Sequence, residues 1–101
     1  MIARLLLFVA LALTSTLAAA QGISVPELGR EFRNVQAAVD AIGEGRGTVL
    51  LAPGRYRQCA VQEAGIVTFR SAEPGQAIFD GATCEGKAAL VLRGRGATVD
   101  G

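Results

Sequence analysis

Asp80-Gly81 and Asp100-Gly101 stand 20 residues apart, each at the end of a short apolar run. Stacked at equivalent positions, the two carboxylates would form a pair able to hold calcium, a hard cation that takes oxygen ligands. The plainer reading of each is an Asp-Gly turn. They are the candidates for metal binding, and no metal site is assigned. Arg70, Arg93 and Arg95 offer an outward basic row that would meet acidic sugar chains, unless they are ordinary solvated cations. Tyr56 could present its ring as a sugar-stacking platform or pack at a strand end. These four are the ligand-facing candidates. Histidine is absent, which excludes a histidine base and histidine-ligated metal. Two cysteines, Cys59 and Cys84, are too few for zinc and fit a disulfide in an oxidising compartment, with two unpaired thiols as the alternative. In the chain-entropy picture such a bridge contributes roughly 3 kcal/mol.

The compartment follows from the first residues. Arg4 precedes the uninterrupted apolar run Leu5 to Leu13, and small residues lead to Ala18-Ala19-Ala20 before Gln21. This is the pattern of a signal peptide over 1–20, cleaved between Ala20 and Gln21. The apolar run is too short for a membrane span. A secreted or periplasmic protein is expected, with no stable membrane span after cleavage. Taking 20 residues from 101 leaves 81, and removing Arg4 leaves 9 basic against 9 acidic residues. Zero net charge without a basic stripe argues against nucleic acid, and no polybasic segment addresses a membrane surface.

Eighty-one residues allow one domain with a small core. Residues 21–31 read as a polar lead-in without a period. Val35, Ala38, Val39 and Ile42 then recur at i, i+3, i+4 and i+7, one apolar face of a two-turn helix with Asn34 as N-cap and Gly43 as its stop. So short a helix is unstable alone, so its apolar face must cover something. The continuous apolar run Thr48 to Ala52 fits a buried parallel strand, and Pro53-Gly54 fits a turn. Beyond it, short strands alternate with turns at 59–61, 65–70, 77–81, 88–96 and 97–101. The stretch 66–81 aligns with 90–101, matching Arg70 to Arg93 at a spacing of 23 and Asp80 to Asp100 at 20. A loose period near twenty is a solenoid signature, because a single repeat cannot bury its own apolar side chains. Leucine-rich repeats lack their frame here, and the hairpin turns and alternation of a β-sandwich show only as weak hints.

The helix "VQAAVDAI" (35–42), the strand and turn "GTVLLAPGRY" (47–56) and the strand-turn units after them resemble the pectate lyase-like right-handed parallel β-helix family. The likeness spans 32–101. "GRGTV" departs from the Gly-Asp that the family often has before this strand. The resemblance implies a mainly β, single-stranded parallel β-helix over 32–101. Val35, Ala38, Val39 and Ile42 would face its first strands as an N-terminal cap. The C-terminal end would be incomplete, with further repeats expected beyond Gly101. It also implies a parent protein that acts on or binds acidic polysaccharide, as a lyase, epimerase or hydrolase. Calcium is the cofactor expected of such a parent, and none is assigned to this chain. No position matches a catalytic motif, so the 101-residue piece is expected to be inactive. Two other expectations stand beside this one. One is a non-catalytic scaffold, adhesion or glycan-binding module of the same fold; the other is a complete small disulfide-linked binding module.

Overall fold

The computed structural model describes residues 22–101; the leader and its cleavage site at Ala20 and Gln21 lie outside the described residues. Nine short strands and one α-helix follow in the order β1 (Ile23–Val25), β2 (Arg30–Phe32), α1 (Val35–Ile42), β3 (Arg46–Leu51), β4 (Gly54–Tyr56), β5 (Ala60–Gln62), β6 (Ile66–Ser71), β7 (Ala77–Phe79), β8 (Leu90–Leu92) and β9 (Gly96–Asp100). They form a mixed five-stranded sheet in the order β2-β1-β3-β6-β9 and two parallel pairs, β4-β7 and β5-β8.

This topology overturns the expected single-stranded, all-parallel β-helix. No solenoid is evident among the described residues, and the main sheet is mixed because β1 runs antiparallel to both β2 and β3. The polar lead-in is a strand, a 3₁₀ turn at Pro26–Leu28 and a second strand. Ile23 and Val25 are buried, which is why the segment joins the sheet. The internal alignment also fails. Ile66 pairs with Gly96, and Leu90 pairs with Ala60. The parallel steps are 20 residues from β3 to β6 and 30 from β6 to β9. Register follows the inward-facing side chains Val49, Val67 and Phe69, and the long 80–89 connection absorbs the difference.

Helix α1 forms where the sequence supplies both ends. Asn34 Oδ1 accepts the Ala37 N–H at 2.7 Å, and Gln58 Oε1 accepts the Val35 N–H at 2.6 Å. Gly43, at φ 58°, ends the helix by donating its N–H to Val39 C=O. Val35, Ala38, Val39 and Ile42 are all buried, as the spacing predicts. They pack with Ile23, Val49, Leu51, Val67 and Phe69 into one cluster. Each larger side chain buried there is worth roughly 1.5–3 kcal/mol. Contact between α1 and β3 is close, since a Cβ on Gly47 would stand 2.8 Å from Ile42 Cγ1.

Cys59 and Cys84 form a disulfide, with Cα atoms 5.5 Å apart. It ties the residue before β5 to the long 80–89 connection, and it is compatible with an extracellular or periplasmic location. Among the described residues no helix is long and apolar enough to cross a membrane.

Candidate functional site

Strands β3, β4 and β5 each have one edge facing away from their parallel partners β6, β7 and β8, and the chain treats the three edges differently. Along β3, strand β1 covers Leu50 and Leu51. Farther along, the Glu27 carboxylate accepts the Thr48 N–H at 2.9 Å and its hydroxyl at 2.8 Å. These two bonds hold the Glu27 carboxyl below the usual glutamate range. On β5, the Gln36 amide donates to Val61 C=O at 2.9 Å and accepts the Val61 N–H at 2.7 Å. One side-chain amide thus does there what a neighbouring strand would do.

Strand β4 is different. Gly54 N–H donates to Gln76 C=O, and Asp80 N–H donates to Tyr56 C=O, so both bonds run toward β7. The alternation of a strand turns the Arg55 N–H and C=O to the opposite edge. No described strand pairs there. That edge opens into a cleft of about 420 Å³ lined by Phe32, Arg33, Gly54, Arg55, Tyr56 and Gln58 among others. Two arginines, Arg33 and Arg55, are among its lining residues, and none of those residues is acidic. The Glu31 carboxylate comes near Gly22 at the rim. Arg30 lies over the Phe32 ring, 4.8 Å from its centroid.

Of the ligand-facing and metal candidates Arg70, Arg93, Arg95, Tyr56, Asp80 and Asp100, only Tyr56 is among the residues that line this cleft. Its hydroxyl donates to Ala52 C=O, and its ring stacks on Phe79 with centroids 5.6 Å apart. Partial burial raises its phenol pKa. The packing role and the cleft-lining role are therefore held by one side chain, whose phenol proton is already committed.

The basic row of Arg70, Arg93 and Arg95 does not form. Arg70 Nε pairs with Asp100 Oδ2 at 3.3 Å on the outer face of the main sheet. Arg93 lies just past β8, clamped by Glu63 and Glu85. These two acids raise its pKa, and Arg93 in turn lowers that of Glu85. Arg95 donates to Glu44 C=O at 3.4 Å. Arg93 and Arg95 do share a hollow of about 520 Å³, but Glu44 and Glu63 line it too, so its charge is mixed.

The carboxylate pair does not form either. Asp100 stands opposite Arg70, and Asp80 binds Arg55 at 2.8 Å, so each acid has an arginine and not the other acid. Among the described residues no group of three or more acids and cysteines is gathered for a metal. Arg33 and Arg55 escaped the sequence reading. Arg55 fills the variable position of the Pro-Gly-x-Tyr turn, and Arg33 precedes the helix cap. They lie 22 positions apart in the chain, and β1 and β2 folding back beside β4 brings both to one cleft.

No family model, curated protein or solved structure matches this chain. The likeness to pectate lyase-like proteins rests on the sequence motifs alone.

Proposed function

We propose that this protein is a non-catalytic, exported module that binds acidic polysaccharide in the cleft at the edge of β4. The observation that supports this reading is the pair of arginines, Arg33 and Arg55, in a cleft whose own lining residues include no acid. Guanidinium forks match carboxylates in geometry and charge. The edge of β4 adds a main-chain donor at Arg55, and Gln58 and Tyr56 add polar and aromatic surface of the sort that sugar rings meet. The disulfide fits the exported setting.

Calorimetric titration of the purified, oxidised protein with hexagalacturonate, and with maltohexaose as the neutral control, tests the reading. Saturable binding of the uronate alone is expected, weakened about tenfold by Arg33→Ala or Arg55→Ala, since each removes a charge-assisted contact. Equal binding of both sugars, or no binding of hexagalacturonate, would overturn it.

A further inference from the structure

Of the two arginines lining the cleft, Arg55 already holds a carboxylate. Arg55 Nη1 meets Asp80 Oδ2 at 2.8 Å. Asp80 is not free to wander from it, because its own N–H donates to Tyr56 C=O, one residue along β4. The next residue, Gly81, turns the chain at φ 83°, and Cys84 then anchors the connection through the disulfide to Cys59. The carboxylate is thus delivered to Arg55 by main-chain register and a covalent tether. Yet the pair is open to water, with the two side chains 66% and 48% exposed. Exposed pairs of this kind contribute little net free energy, so an incoming anion can displace one.

We propose that Asp80 is a built-in competitor for the cleft. Its carboxylate occupies the Arg55 guanidinium that an anionic ligand must take over. The inference rests on the anionic-ligand reading above and adds the residue that sets its threshold. An isolated carboxylate gains nothing by trading places with Asp80. A chain carrying several carboxylates reaches Arg33 at the same time, so its second contact forms at high effective concentration. Asp80 therefore favours polyanionic chains over single anions.

The test is titration with hexagalacturonate of the wild type, Asp80→Asn, Asp80→Ala and Glu73→Gln. The last variant removes an acid of the same charge that has no side-chain contact with the cleft. Both Asp80 variants are expected to bind about twofold to fivefold more tightly, the span that an exposed pair supports. Glu73→Gln is expected to match the wild type. In an Arg55→Ala background the gain from Asp80→Ala is expected to vanish. Unchanged or weaker binding by the Asp80 variants overturns the inference while leaving the cleft as an anion site. An equal gain from Glu73→Gln does the same, because net charge would then explain it. Absence of saturable binding in every protein, the wild type included, overturns both.

Discussion

Glu27 shows how one side chain can stand in for a missing strand. Its carboxylate takes both the Thr48 N–H and the Thr48 hydroxyl, where β1 no longer covers β3. Replacing it by Gln keeps the shape and weakens both bonds. Glu27→Gln is expected to lower the melting temperature by a few degrees, the effect of about 0.5–1 kcal/mol in a domain of this size. The sign of the pH dependence follows from the lowered pKa of Glu27. A depressed carboxyl contributes its stability above the unfolded pKa and loses it as pH falls through the folded one. Thermal scans of the two proteins should therefore differ at pH 7 and draw together as the pH falls through and below the ordinary glutamate value of about 4.3. A gap that persists in acid would mean that Glu27 acts through packing and not through its charge.

The turn before β6 sets the limits at the scale of elements. Gly65 has φ +75°, and a Cβ there would stand 2.3 Å from Gly43 C=O and 2.7 Å from Gly45 C=O. Gly86 also has a positive φ, at 63°, with nothing within 4 Å of an added Cβ. Gly86→Ala should cost about 1 kcal/mol, the left-handed penalty alone. Gly65→Ala should cost at least about 2 kcal/mol more, because backbone must also move. Urea unfolding midpoints check this, and equal losses would show that the two turns are not in close contact. Neither contact can be seen in the sequence, where Gly65 reads only as the first residue of the 65–70 strand. The helix face, by contrast, was legible, since Val35, Ala38, Val39 and Ile42 carry their period with them. So was the disulfide, because only two cysteines are present. Strand β1 was hidden by its length: three residues, Ile23–Val25, cannot show a period before Pro26 breaks the run. The register of β8 and β9 was hidden because repeated apolar-Arg and Asp-Gly words invite alignment, while burial chooses the partners. The 23-residue match of Arg70 to Arg93 is such a word match, and the sheet sets Arg70 against Asp100 instead.

Over the whole molecule, the edges of β3 and β5 that face away from β6 and β8 are closed by the chain's own groups, and the edge of β4 that faces away from β7 is left as the floor of a cleft. Its arginines come from two separate segments, one before α1 and one after β3, so it exists only once β1 and β2 have folded back onto the main sheet. That is why the candidate site was nearly illegible in advance, apart from Tyr56. The most direct measurement of its role is an amide-resolved nitrogen–proton correlation spectrum of the oxidised protein during addition of hexagalacturonate. Saturable shifts should concentrate at Arg33, Arg55, Tyr56 and Gln58, with the Arg55 amide among the largest because it faces the open edge. Shifts centred instead on Arg93 and Arg95, or no saturable shift at any residue, would contradict the assignment of the β4 cleft as the binding site.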